Sequence, residues 1–219
     1  MTVLKAVTAT CYKKVDMIKE QTKLPIMEAF YTIQGEGHYS GTPAYFIRLG
    51  GCDVGCVWCD VKDSWDASKW PQQSVESIIS EAKSHKGKLV VITGGEPLMY
   101  DLTELTEKLD AENLQVNIET SGAHPLSGSW DWICFSPKKF MKPRSEFYHV
   151  ADELKVVIYN KSDFAWAEEH ASKVNPDCLL YLQPEWDKSN KMLPQIIEYV
   201  KDNPRWNISL QTHKYMEIP

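Results

Sequence analysis

The strongest constraint on this chain is an alternation. Runs rich in branched and aromatic residues recur between stretches of helical periodicity, and the chemically distinctive residues crowd just behind those runs. Residues 44–49, 88–92 and 114–118 read as strands, as do 132–135, 154–158, 178–182 and 208–211. Residues 74–85 read as a helix, and Leu98, Leu102, Leu105 and Leu109 recur at helical spacing with acidic residues on the other face. Helices are expected over 164–171 and 193–200 as well. Such an order predicts right-handed βαβ units and a parallel sheet, curled or open. Residues 50–60 follow the first strand, Gly94-Gly95-Glu96-Pro97 the second and Thr120-Ser121-Gly122 the third. Ser136-Pro137-Lys138 and Gln183-Pro184-Glu185 follow later ones. In parallel α/β folds the carboxyl ends of the strands form the ligand face. Loops that only connect would not gather such residues on one edge.

With 219 residues the chain can bury one sizeable core, and no repeat or Gly/Ser linker divides it. It carries 24 Lys+Arg against 30 Asp+Glu, a net charge of −6, which argues against a broad nucleic-acid-binding face but leaves room for one small basic pocket. No stretch approaches the roughly 20 apolar residues of a membrane span. Met1–Ala9 is short and lacks a cleavage pattern, so no signal peptide is expected and the cytoplasm is the predicted location.

In that compartment six cysteines are thiols or metal ligands rather than a disulfide framework. Cys134 and Cys178 sit in apolar runs and read as buried structural thiols, and Cys11 stands alone. Cys52, Cys56 and Cys59 crowd into one short loop, with Trp58 between the last two. Three thiolates so spaced can wrap a compact metal centre. Iron–sulfur clusters usually take four cysteines, and three leave one iron open to a small molecule. The competing reading is a zinc site completed by Asp60, His38 or a distant histidine.

Cys52-x-x-x-Cys56-x-x-Cys59 is the signature of the radical S-adenosylmethionine (SAM) superfamily, and Gly94-Gly95-Glu96-Pro97 behind a strand resembles its second motif. Within that superfamily the chain resembles the 7-carboxy-7-deazaguanine synthases. The matching segments are Gln34-Gly35-Glu36-Gly37, Gly41-Thr42-Pro43, Arg48-Leu49-Gly50-Gly51-Cys52, Glu119-Thr120-Ser121-Gly122, Ser136-Pro137-Lys138, Leu182-Gln183-Pro184 and Gln211-Thr212-His213-Lys214. The resemblance spans residues 26–219 and leaves 1–25 as an N-terminal extension. It implies a single-domain partial (β/α)6-type radical SAM barrel with mostly parallel strands. It also implies a [4Fe-4S] cluster on Cys52, Cys56 and Cys59, SAM on the open iron, and reductive cleavage of SAM to a 5′-deoxyadenosyl radical. The implied reaction contracts 6-carboxy-5,6,7,8-tetrahydropterin to 7-carboxy-7-deazaguanine with loss of ammonia, in queuosine biosynthesis. An electron donor such as flavodoxin or ferredoxin and a homodimer are implied too. A glycyl-radical activase would share the cysteine spacing but has no need of 34–37 or the 211–214 ending, and a zinc-stabilised binding module is the non-enzymatic alternative.

For SAM the resemblance points to Gly94, Gly95 and Glu96 at the amino group and to Trp58, Cys59 and Asp60 near the adenine. Thr120 and Ser121 suit its carboxylate or ribose, and Ser136, Pro137, Lys138, Gln183, Pro184, Glu185 and Trp186 its ribose and adenine. For the pterin, Arg48 can fork a carboxylate. Ile33, Gln34, Gly35, Glu36, Thr93 and His213 face its ring, and Pro219 brings the terminal carboxylate to its aminopyrimidine edge. Each residue has a plainer reading: a surface ion pair for Arg48, a turn for Gly35, a solvated lysine for Lys138, a structural histidine for His213. One position departs from the family. A threonine that ligates Mg²⁺ is replaced by Val61, which has no oxygen to offer a hard cation. Other groups then hold the ion, Lys62 replaces it, or the enzyme runs without it.

Overall fold

A computed structural model of the protein describes residues 22–219. Most of the extension assigned to 1–25, with Cys11, lies outside the described residues. Its last three residues belong to the first strand, β1 (Lys23–Ile33). The chain continues through β2 (Pro43–Leu49), β3 (Gln72–Ser74), α1 (Val75–Ala82), β4 (Leu89–Gly94), α2 (Thr103–Ala111) and β5 (Gln115–Thr120). There follow β6 (Trp132–Phe135), α3 (Phe147–Val150), β7 (Glu153–Ile158), α4 (Ser162–Ala171), β8 (Leu179–Pro184), α5 (Ser189–Asp202), β9 (Trp206–Ile208) and α6 (Thr212–Met216).

The nine strands form one sheet in the order β3-β1-β2-β4-β5-β6-β7-β8-β9. Every neighbouring pair from β2 to β9 is parallel, whereas β1 runs antiparallel to β2 and β3. The sheet ends at β3 and β9 rather than closing on itself. This is the expected α/β fold with mostly parallel strands, a barrel left open at one side.

Strand alternation divides the labour between the two faces. Tyr45, Ile47 and Leu49 on β2, Val90 and Ile92 on β4, Val116 and Ile118 on β5, and Leu154, Val156 and Ile158 on β7 all join the main core. The amphipathic helices cover that side, with Val75, Ile78 and Ile79 of α1, Leu105 and Leu109 of α2, Ala167 and Ala171 of α4, and Met192 and Ile196 of α5 buried. The intervening positions point the other way. At one end they form a small apolar plug of Ala44, Leu89 and Val91 with Tyr39 and Phe46. Further along they are polar: Arg48, Thr93, Glu119, Lys155 and Gln183.

Two strands differ from the sequence reading. β1 escapes the alternation pattern because a bulge between Ile26 and Glu28 shifts its register. The last strand, expected over 208–211, is β9 at Trp206–Ile208. Just past its end, Ser209 still donates its N–H to Leu182 O, and its hydroxyl donates to Gln183 Oε1 at 2.7 Å and accepts the Gly37 N–H at 3.0 Å.

Candidate active site

The loop after β2 presents the three cysteines. Its fold depends on backbone bonds: Gly51 N–H to the Ser64 carbonyl, Cys52 N–H to that of Trp65 and Cys59 N–H to that of Cys56. The Val61 N–H lies 3.4 Å from Cys59 Sγ. The end of β4 seats flush on this loop, Gly95 N–H donating to Leu49 O and Glu96 N–H to Gly51 O. Only glycines allow that approach. Gly94 adopts φ +135°, and a Cβ there would meet Leu49 O at 2.2 Å; one on Gly95 would meet Gly51 O at 2.0 Å.

Burial pushes the Cys52 thiol up and the Cys56 thiol up to about 11, so metal binding must displace protons there. Among the described residues no three His, Cys, Asp or Glu side chains converge on a point that could hold one metal ion. Asp60 is engaged by Lys214 at 3.0 Å, and the His38 ring stacks on Trp132. Cys134 and Cys178 are buried away from the loop, as the apolar runs predicted. Three thiols spread along one cavity wall fit a larger cluster with one iron lacking a protein ligand.

Glu96 is 1% exposed, and its carboxylate is saturated. Oε1 accepts from Thr120 Oγ1 at 2.6 Å and Leu98 N–H at 3.2 Å; Oε2 accepts from Ser121 Oγ at 2.5 Å and Ser121 N–H at 2.8 Å. Thr120 and Ser121 thus donate their hydroxyls to Glu96, a partner the sequence reading did not give them. Glu96 pins the third strand's loop to the second's.

Opposite the cysteines lies a closed ring of hydrogen bonds. The Lys155 ammonium on β7 donates to Glu36 Oε2 at 2.5 Å and to Glu119 Oε2 at 2.9 Å. Gln34 Nε2 donates to Glu119 Oε1 at 3.1 Å, and Gln34 Oε1 accepts the Glu36 N–H at 3.0 Å. Gln211 Nε2 completes Glu36 at Oε1, 2.9 Å away. Burial alone would raise the Glu36 pKa; Lys155 and Gln211 outweigh it and hold the carboxyl at about 2.

The segment after β9 closes over this ring. Thr212 donates to Gly35 O through both its N–H and its hydroxyl, and His213 packs so closely that a Cβ on Gly35 would lie 2.3 Å from His213 Nδ1. Gly35 therefore makes room for His213 rather than only for a ligand. Burial lowers the His213 pKa, favouring the neutral imidazole. Arg48 lies opposite Glu28 in the β1–β2 ladder, with its Nε 2.5 Å from Glu28 Oε1. The surface ion pair and the cavity position thus coexist, since the pair uses one of the guanidinium's five N–H groups.

These parts share one cavity of about 250 Å³. The cysteines, Trp58, Asp60, Gly94, Gly95, Glu96, Thr120, Ser121, Ser136, Lys138, Gln183, Pro184, Glu185 and Trp186 line it, as do Ile33, Gln34, Gly35, Glu36, Arg48, Thr93, His213 and Pro219. Pro137 instead lines a neighbouring pocket beside Val57 and Phe140. Lys62 is exposed and not on the cavity wall. Glu185 caps a turn through the N–H groups of Asp187 and Lys188. Lys138 donates to Ser136 Oγ at 2.5 Å, and its ammonium lies 5.7 Å from the Trp58 ring centre. Glu119 and Gln211, quoted from sequence within matching segments but given no role, and Lys155, not singled out at all, also line the cavity. The available signal was an ionisable residue inside a parallel strand, where unbroken apolar runs are the rule.

A family model for the radical SAM superfamily matches residues 46–134, which include the cysteine loop and Gly94–Glu96. A 7-carboxy-7-deazaguanine synthase from Flavobacterium psychrophilum is 57% identical over 202 residues, covering 92% of this chain and 96% of that protein. One from Synechocystis is 47% identical over 194 residues, covering 89% and 93%. The crystal structure of QueE from Escherichia coli superposes with a TM-score of 0.76 at 32% identity, covering 86% of this chain and 93% of that one.

Proposed function

The chain belongs to the 7-carboxy-7-deazaguanine synthases of the radical SAM superfamily, and we propose that the cavity between the cysteine loop and the Glu36–Lys155–Glu119 ring is where its reaction runs. The enzyme is a carbon–nitrogen lyase that contracts 6-carboxytetrahydropterin to 7-carboxy-7-deazaguanine with loss of ammonia. One observation carries the assignment of the site: a wall of three separated thiols and a wall rich in acceptors and donors line the same small cavity.

Cys52, Cys56 and Cys59 would hold the [4Fe-4S] cluster. The cluster would supply one electron, and SAM the hydrogen-abstracting 5′-deoxyadenosyl group. The Gly94–Gly95 backbone would face the SAM amino group, held there by Glu96 through Thr120 and Ser121. Trp58, Asp60, Ser136, Lys138 and the 183–186 turn would flank adenine and ribose. Arg48 would take the pterin carboxylate on its remaining N–H groups, its orientation set by Glu28. Gln34, Glu36, Thr93, Glu119 and His213 would meet the ring, with Ile33, Gly35 and Pro219 shaping its bed. Phe30, Phe46 and Trp65 line the same cavity and would help exclude water from it.

At Val61 the nearby oxygens are spoken for: its carbonyl accepts from Ser64 Oγ at 2.6 Å, and Asp60 is paired with Lys214. This supports turnover independent of Mg²⁺. Rates in chelator should not change when Mg²⁺ is added, and strong stimulation would refute that. The chemistry requires a one-electron donor; flavodoxin or ferredoxin is the finer reading, as is a homodimer, which light scattering of the purified enzyme tests. Among the described residues no helix is long and apolar enough to cross a membrane.

The deciding assay is anaerobic: reconstituted protein, reductant, SAM and 6-carboxytetrahydropterin, with 7-carboxy-7-deazaguanine followed by mass. Product must appear with the intact protein and vanish in the triple Cys52→Ala, Cys56→Ala, Cys59→Ala variant. Product from the triple variant overturns the reading.

A further inference from the structure

We propose that Lys155 is a positioning residue that keeps Glu36 and Glu119 ionised together and at fixed separation, so that both carboxylates accept from the donor edge of the pterin. The proposal rests on the pterin-site reading above and deepens it.

Lys155 is 3% exposed, in the middle of β7 on the face away from the main core. An ammonium buried there costs several kcal/mol unless compensated. Its compensation is specific. Of its three N–H groups, one reaches Glu36 and one Glu119, at 2.5 and 2.9 Å. The two glutamates come from segments far apart in sequence, the loop after β1 and the end of β5, and among the described residues Lys155 is the one cation hydrogen-bonded to both. Each carboxylate accepts from a glutamine on its other oxygen, Gln211 for Glu36 and Gln34 for Glu119. With about four lone-pair directions per carboxylate, each retains acceptor capacity. Glu36 and Glu119 both line the cavity, and their side chains are 15% and 23% exposed against 4% for Lys155. All three line the cavity, with the carboxylates more open to the ligand space than the ammonium.

Two carboxylates held this close without a cation cannot both remain ionised; one keeps its proton into the neutral range. A protonated carboxyl loses acceptor capacity toward the ring's N–H groups. The other charged or titratable groups around Lys155 do not replace it. Glu153 on β7 and Cys134 on β6 add acidic groups, Tyr181 lies beside it on β8, and His213 faces Glu36 with a lowered pKa. Lys138 is also felt at this site, but its hydrogen bond goes to Ser136. Burial works against the Lys155 charge, yet the Glu119, Glu36 and Glu153 carboxylates hold its pKa well above the usual lysine value, while burial keeps the Cys134 thiol protonated.

The test uses the reconstituted holoenzyme under anaerobic conditions and the affinity of 6-carboxypterin, a fluorescent and unreactive ring analogue, between pH 5.5 and 7.5. Wild type should bind with a Kd that does not vary over that range, because both carboxylates are already ionised. Lys155→Met should bind weakly at pH 5.5 and tighten roughly tenfold or more by pH 7.5, as the retained proton is lost. Lys155→Arg keeps the charge and should restore the flat profile. The double variant Lys155→Met/Glu36→Gln removes the cation together with the more deeply buried carboxylate. It should be weak but flat, and it serves if Lys155→Met does not fold; iron content and melting temperature report folding for each. A flat profile in Lys155→Met, a slope in Lys155→Arg equal to that of Lys155→Met, or a sloped double variant overturns the role of Lys155. Failure of wild type to bind 6-carboxypterin, or to release it to 6-carboxytetrahydropterin, overturns the pterin-site reading and this proposal with it.

Discussion

At the scale of single residues, space and satisfied charge decide what can change. Gly95→Ala sets a Cβ 2.0 Å from a backbone oxygen and 2.9 Å from Cys52 Cβ, so the end of β4 must lift from the cysteine loop. Reconstituted Gly95→Ala protein is expected to hold well under half the iron of wild type while its far-UV circular dichroism is unchanged. Glu96→Gln replaces two acceptor oxygens by one, leaving Ser121 or Thr120 and Leu98 with unmet donors; about 2 kcal/mol of stability should be lost, read by urea unfolding. Glu36 sets a pH dependence. Its folded-state pKa of about 2 lies below the ordinary 4.5, so its ionised form is favoured by folding. That contribution is complete above pH 4.5 and disappears as pH falls toward 2. The stability gap between wild type and Glu36→Gln should therefore narrow from pH 7 to pH 3.

At the scale of elements, the site is made by strand parity and by one terminal helix. The same alternation that sends Leu154 and Val156 into the core sends Glu153 and Lys155 to the open face. α6 is tied down from two sides, by Thr212 on Gly35 and by Lys214, whose ammonium sits 3.0 Å from Asp60 and 4.9 Å from the Trp186 ring centre. Lys214 thus couples the cysteine loop to the end of the chain across the cavity mouth. A part-exposed pair of this kind is worth about 0.5–1 kcal/mol. Lys214→Met should raise the KM for the pterin about two- to fivefold, with kcat and iron content little altered. Steady-state kinetics beside an iron assay check this.

At the scale of the whole molecule, the fold and the metal centre are separable. The main core lies between the sheet and its helices, whereas the cysteines line the cavity on the other side. Burial on the helix side, at about 25 cal/mol per Å² of apolar surface, does not depend on the cluster. Iron removal by a chelator should abolish turnover but leave cooperative thermal unfolding, followed by circular dichroism at 222 nm. Loss of the cooperative transition would show that the cluster is part of the core.

Much of this was legible in one dimension because it depends on short-range pattern. The seven parallel strands, the helices that cover them and the three-cysteine loop are local signals, with strand bounds shifted by a residue or two except at β9 and the bounds of α1 and α5 by up to four. The bulged β1 was not legible, since its register shift erases the alternation that marks a strand. Nor was the work of Glu96, Thr120 and Ser121, which look like ligand-facing hydroxyls and an acid until the packing joins them to one another. The Glu36–Lys155–Glu119 ring lay furthest beyond the sequence. Its members are separated by 119 and 36 positions, and nothing local distinguishes a lysine in a strand that faces solvent from one that faces two carboxylates. Sequence determined which residues alternate and where the chain turns; the curl of the sheet alone decided which of them meet, because contact across a barrel is set by strand order and tilt, which no short-range preference encodes.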